Sequence, residues 1–104
     1  MKPPDRRQGV TITLDWCNSN HHLTFNKDDD TGEIIEVFVA APKPGSGAWA
    51  LANDLARSFS LEIQDGTPPA EFAARAIRDG EGRPLSLYGV IADALVAESM
   101  GLLR

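Results

Sequence analysis

The chain has 104 residues, of which 42% are hydrophobic and 24% are charged. These values are typical of one soluble globular domain and exclude a disordered tail, a collagen-like repeat and a disulfide scaffold. The net charge of -5 has the wrong sign for wrapping a phosphate backbone, so we expect no direct nucleic-acid partner. No apolar stretch reaches the ~20 residues of a membrane span, and the single cysteine indicates a reducing cytoplasm.

The first forty residues have the patterns of β-strands. Residues 10–16 alternate between apolar and polar side chains, which predicts a half-buried strand. A loop at 17–20, a second alternating segment around 22–25 and a polar turn at 27–32 predict a hairpin. Residues 33–40 are rich in Ile, Val and Phe and predict a third strand. We therefore expect a three-stranded antiparallel meander, preceded by a flexible segment at 1–8.

The remainder of the chain has helical patterns. An apolar residue recurs every four positions before Gly66, which predicts a helix that Ser46 caps. The residues of this row are Leu51, Leu55, Phe59 and Ile63. Thr67 and two prolines predict the start of a second helix that ends near residues 79–80, with Phe72, Ala73, Ala76 and Ile77 inward.

A third helix is expected after Ser86, with Val90, Ile91, Ala94 and Leu95 inward. The predicted fold class is α+β, a three-stranded antiparallel meander followed by three helices packed on one face of the sheet. We expect a single domain over residues 9–104.

Two clusters near the strands contain residue types that occur in metal or catalytic sites. Cys17, His21 and His22 include metal-ligand and nucleophile types, but adjacent histidines on a strand point to opposite faces, which favours an ordinary loop and hairpin. The acidic residues 28–30 suggest calcium, but the twelve-residue ligand pattern is missing, and a solvated turn explains them. No metal and no cofactor is therefore expected.

The segment between the third strand and the first helix is a candidate anion site. Lys43, Gly45, Ser46 and Gly47 precede a helix N-terminus, whose free N–H groups attract anions. The alternative to an anion site is that Ser46 is a simple helix cap after a flexible glycine segment. Lys43 would then pair with a carboxylate of the protein, Asp54 or Glu36.

Two arginines and two aromatic residues complete the candidates. Arg78 and Arg83 either extend the anion site or form ion pairs with Asp79 and Asp93 that tie the second helix to the third. Trp16 and Phe38 are candidates for an interface, because an open three-stranded sheet needs cover. A homodimer is the commonest solution.

From Glu36 onward the chain resembles the TSCPD domain. The residues that carry the resemblance are Glu36-Val-Phe38, Lys43, Gly45-Ser46, Asp54, Ser60-Leu61, Gly66, Arg78-Asp79, Gly82-Arg83-Pro84, Gly89 and Asp93. This domain occurs at the C-terminus of vitamin B12-dependent (class II) ribonucleotide reductases and in short stand-alone proteins. The cysteine of the Thr-Ser-Cys-Pro-Asp motif is missing around Pro84-Leu-Ser-Leu-Tyr-Gly, and Leu87 replaces the proline of the stand-alone members.

The resemblance implies kinship with a reductase rather than its activity, because the chain lacks a cysteine triad, a cobalamin site and the length of a ten-stranded barrel. We expect a non-catalytic accessory or regulatory module that contacts a ribonucleotide reductase or another cytoplasmic protein. The alternative is a small nucleotide- or phosphate-binding protein that uses the 43–47 loop. An enzyme in its own right has no general-base constellation to recommend it.

Overall fold

A computed structural model describes residues 8–40, 43 and 45–100. It contains three strands, β1 (Gln8–Trp16), β2 (Ser19–Lys27) and β3 (Ile34–Ala40). Three helices follow, α1 (Gly47–Gln64), α2 (Pro69–Arg75) and α3 (Leu87–Ser99). The predicted α+β class is confirmed. The predicted flexible segment 1–8 lies outside the described residues except for Gln8, which already belongs to β1.

The sheet is an open antiparallel meander in the order β1-β2-β3. A two-residue turn joins β1 to β2, and both its residues, Cys17 (φ 50°) and Asn18 (φ 62°), have the positive φ that such a turn requires. Asp28 organises the next turn, since its carboxylate accepts from the Asp30 N–H at 2.8 Å and its carbonyl accepts from the Gly32 N–H at 2.8 Å. The acidic residues 28–30 thus form the solvated turn that the sequence predicts.

The two faces of the sheet differ in composition. The inner face carries Leu23 and Phe25 of β2 and Val37 and Val39 of β3, all of them buried. The apolar even-numbered residues of β1 continue this face and are half-buried. The other face carries mainly threonine, asparagine and histidine from β1 and β2. The alternation in the sequence therefore predicts the orientation of the strands correctly.

Helix α1 packs against β3 with a stripe formed by Ala52, Ala56 and Phe59. Leu51, which was expected to be inward, is 52% exposed. An α-helix advances 100° per residue, so a row with a strict spacing of four drifts by 40° at each step and cannot stay on one face. The helix ends before Gly66, whose φ of 97° confirms the predicted glycine stop.

The chain divides into two compact units, the first ending at Asp65 and the second beginning at Gly66. In the second unit α2 packs against α3, and Phe72, Ile91 and Leu95 are fully buried. The predicted end of α2 near 79–80 is wrong, because Ala76 is extended (φ -68°, ψ 140°) and Ile77 is 70% exposed. The single domain over 9–104 stays a prediction.

Candidate functional site

Ser46 begins α1 as the sequence predicts. Its Oγ accepts from the Trp49 N–H at 3.1 Å and donates to the Lys43 carbonyl at 2.7 Å. Gly45 has a φ of 83°, which a residue with a side chain rarely adopts. Gly47 is the first residue of the helix. The serine hydroxyl and Gly45 therefore turn the chain from β3 into α1, as a helix cap requires.

The positive end of α1 carries no acidic residue in its first turn. Lys43 is exposed just ahead of it. The expected pairing of Lys43 with Asp54 or Glu36 is absent, since no ion pair joins these residues in the part of the chain that the structure describes. Among the described residues no carboxylate pairs with this lysine, and its role in binding an anion stays a prediction.

Arg78 lies in the second unit, and the two terminal nitrogens of its guanidinium make four hydrogen bonds within that unit. It makes a bidentate ion pair with Asp93 of α3, at 2.7 Å to Oδ1 and 3.0 Å to Oδ2. It also donates to the carbonyls of Gly82 and Ala73, each at 3.0 Å. The hydrogen bonds and charge of Asp93 raise the pKa of Arg78. An ion pair to α3 was predicted and is present, but it does not start from the second helix as expected, because α2 ends at Arg75 and Arg78 lies after it.

Asp79 organises the loop between α2 and α3. Its Oδ1 accepts from the N–H groups of Glu81 and Arg83, both at 2.9 Å, and its Oδ2 accepts from the Arg83 Nε at 3.0 Å. The backbone N–H of Arg83 and then that of Glu81 are the main causes that lower the pKa of Asp79 below its ordinary value. Gly82 closes the loop with a φ of 85°. Arg83 is therefore held by Asp79, one of the two carboxylates predicted as partners, and also by Glu81 at 3.1 Å.

The same loop presses directly on α3. A Cβ at Gly89 would lie 2.5 Å from the Pro84 Cβ and 3.1 Å from the Ala76 Cβ. Only glycine permits this approach without displacing its neighbours. In the sequence, Gly89 stands out only through the family resemblance, because a glycine within a helix pattern does not show what packs on it.

Ser60 has a role that the sequence did not reveal. Its Oγ accepts from the Val37 N–H at 2.9 Å and donates to the Val37 carbonyl at 3.1 Å. One turn later, the Gln64 side-chain amide donates to the Ile35 carbonyl at 3.3 Å. Helix α1 thereby satisfies both outward backbone groups of Val37 and the carbonyl of Ile35, and so covers part of an edge that would otherwise be open.

Trp16 and Phe38, the predicted interface pair, lie on opposite faces of the sheet. Phe38 is 51% exposed and is in register with Thr24 on the polar face. Trp16 is half-buried at the end of β1, on the same face as Phe25 and Val37. A single flat partner surface therefore cannot cover both side chains.

Cys17, His21 and His22 do not converge. Cys17 is exposed in the turn, and His22 is exposed with its Nδ1 3.2 Å from the Thr13 hydroxyl. His21 faces the core, 1% exposed, and neither ring nitrogen has a hydrogen-bond partner within the described residues. Among those residues no group of three or more His, Cys, Asp or Glu side chains could hold a metal ion.

These contacts define a small α+β module in which the motif residues fasten loops, helix ends and a strand edge. A sequence model of the TSCPD domain family matches residues 1–98, and the chain belongs to that family, which is related to the C-terminal region of ribonucleotide reductases. Comparisons with curated proteins and with solved structures found no match. None of the helices in the described residues is long and apolar enough to cross a membrane.

Proposed function

We propose that this protein is a non-catalytic accessory or regulatory module that acts in the cytoplasm by contact with a ribonucleotide reductase. One observation carries the proposal: several polar residues of the family motif are engaged in internal hydrogen bonds that hold the fold. Ser46 caps α1, Ser60 covers β3, and Arg78 is held by Asp93 and two carbonyls. Residues that serve the fold in this way specify a surface and leave little machinery for covalent chemistry.

Exposed apolar side chains favour a protein as the partner. Phe38, a large aromatic side chain, is 51% exposed on the polar face of the sheet. Large side chains with partial exposure are the usual anchors of protein interfaces. The polar threonines around Phe38 supply the rim of such a contact, so we place the reductase on this face of the sheet.

The test is capture of a reductase from the native cytoplasm with the tagged full-length chain. We expect a reductase subunit among the captured proteins, identified by mass spectrometry. Phe38→Ser should reduce its capture at least fivefold, while Leu61→Ser, the matched control on α1, should leave it unchanged. The proposal is wrong if no reductase subunit is captured, or if both variants capture it as well as the unmodified chain.

Binding of a nucleotide or phosphate is the second candidate function, favoured by the exposed Lys43 and the uncompensated positive end of α1. Millimolar phosphate or nucleotide should then raise the melting temperature, because a ligand of the folded state stabilises it by mass action. Lys43→Ala should abolish that shift without changing the unliganded melting temperature. An equal shift in both proteins, or none in either, would exclude a site at Lys43.

A further inference from the structure

The two edges of the sheet differ in how their outward backbone groups are hydrogen-bonded. Strand β3 lies at one edge, and its outward groups at Val37 and Ile35 bond to Ser60 and Gln64 of α1. Strand β1 lies at the other edge. In the described part of the chain, no hydrogen bond reaches the outward amides and carbonyls of β1.

The outward groups of β1 follow from the register. Val37 directs its N–H and C=O toward α1 and therefore away from β2. Its partner on β2, Phe25, consequently directs its N–H and C=O away from β3 and toward β1, where Phe25 is paired with Val10. Backbone direction alternates along an antiparallel strand, so the even-numbered residues of β1 bond to β2. The odd-numbered residues, Gly9, Thr11, Thr13 and Asp15, direct their N–H and C=O groups outward.

Strand β1 also lacks the features that usually block an open edge. Residues 8–16 contain no proline and no lysine, and the pairing with β2 has no bulge. Asp15 is the one charged residue of the strand. The apolar row on the inner face is only half-buried. A nine-residue edge of this kind is a template for another strand.

We infer that β1 pairs with β1 of a second copy, antiparallel about a two-fold axis at Ile12, so that two sheets join into one of six strands. Ile12 is the midpoint of Gln8–Trp16, so this register pairs every residue of the strand. Thr11 then lies opposite Thr13 of the second copy, and Gly9 lies opposite Asp15. Each outward-facing residue gains both of its missing backbone hydrogen bonds.

A second copy fits this edge because the side chains are symmetric about the same residue. Val10 lies opposite Leu14 of the second copy and Ile12 lies opposite itself, so the two apolar rows become continuous on one face. The carboxylate of Asp15 meets a glycine, and no like charges face each other. Hydrogen-bonding groups, apolar side chains and charge therefore all permit two-fold pairing.

The inference specifies the homodimer that the open sheet predicts, and it does not depend on a reductase being the other partner. Phe38 and β1 are separate surfaces, so failure of one proposal is distinguishable from failure of the other. A variant that no longer forms the dimer should be tested in the capture experiment as well.

The first test is sedimentation equilibrium of the full chain at tens of micromolar. We expect a dimer for the unmodified protein. Thr11→Lys with Thr13→Lys places a lysine opposite a lysine at both symmetry-related positions and should give a monomer. Thr11→Lys with Thr13→Glu is the matched control, because it places opposite charges there and should stay dimeric. Both variants lose the same hydroxyl contacts to Thr24 and His22, so circular dichroism should show equal folding.

The second test is cross-linking in a Cys17→Ser background. Ile12 forms a non-hydrogen-bonded pair with its own copy, for which Cα atoms lie about 4.5 Å apart, within the reach of a disulfide. Ile12→Cys should cross-link under mild copper oxidation, whereas Val10→Cys, which faces position 14, should not. A monomeric unmodified protein, a dimeric double-lysine variant, or a dimer that does not cross-link at position 12 would overturn the inference.

Discussion

Replacement of Ser60 by alanine tests whether α1 covers the edge of β3. The serine Oγ lies 2.9 Å from the Val37 nitrogen and 3.1 Å from its carbonyl oxygen, and Val37 is 2% exposed. Without the hydroxyl, two buried backbone groups lose their partner. A buried unsatisfied polar group costs about 1–3 kcal/mol, and water can reach part of this edge, so we expect a loss of about 2 kcal/mol.

The same helix provides a matched control. Ser58 lies two residues earlier and is exposed. Serine to alanine raises helix propensity by up to about 0.5 kcal/mol at either position, so the difference between Ser60→Ala and Ser58→Ala isolates the edge contact. Urea unfolding followed by circular dichroism gives both free energies of unfolding, with equal slopes expected for both variants.

Equal stability of the two variants, within about 0.5 kcal/mol, would refute the reasoning. It would mean that water satisfies the outer groups of Val37 as well as Ser60 does. Ser60→Thr retains the hydroxyl and should recover part of the loss, although its branched Cβ is less favourable in a helix.

Three further predictions concern stability. Gly89→Ala should destabilise the protein by about 2 kcal/mol, because its Cβ clashes with Pro84. Gly47→Ala is the control, since a Cβ there meets open space, and it should be neutral or slightly stabilising. Equal urea-unfolding midpoints for the two variants would contradict this prediction. The pKa of Asp79 is lowered from 3.8 in the folded state, so its contribution to stability is full above that value and is lost as the pH falls below it. Asp79→Asn should therefore flatten the acid side of a plot of melting temperature against pH. An unchanged plot would contradict this role of Asp79. His21→Leu should stabilise by about 1 kcal/mol in urea unfolding, because it removes a buried ring with no partner among the described residues, and a clear loss of stability would show that the ring is partnered.

The secondary structure could be predicted largely from local patterns. Alternation in residues 10–16 predicts β1, and the Ser46 cap and Gly66 stop delimit α1, because these signals depend on neighbours in the sequence. The end of α2 was predicted wrongly because tertiary packing decides it. Ile77 continues a helical pattern, yet its carbonyl accepts from the Leu85 N–H at 2.9 Å and closes a loop instead.

The roles of the polar residues were predictable only where the partner was close or obvious. Asp79 and Asp93 were expected as partners of the arginines, because they lie near them in the sequence or on the next helix. The structure assigns Asp79 to Arg83 and Asp93 to Arg78, which the sequence left open. Ser60 and Val37 are 23 residues apart, and no pattern in the sequence joins a serine on a helix to the backbone of a strand.

The distribution of satisfied backbone groups connects the fold to its function. Helix α1 covers part of the β3 edge, because Ser60 and Gln64 bond to the outward groups of Val37 and to the carbonyl of Ile35. The loop after α2 is closed by Arg78 and Asp79. Among the described residues the outward groups of β1 are left without a protein partner, next to a half-buried apolar row. A strand in this state gains both hydrogen bonds and apolar burial from one further strand, which is why we place self-association at β1 and leave the exposed Phe38 face for a different protein.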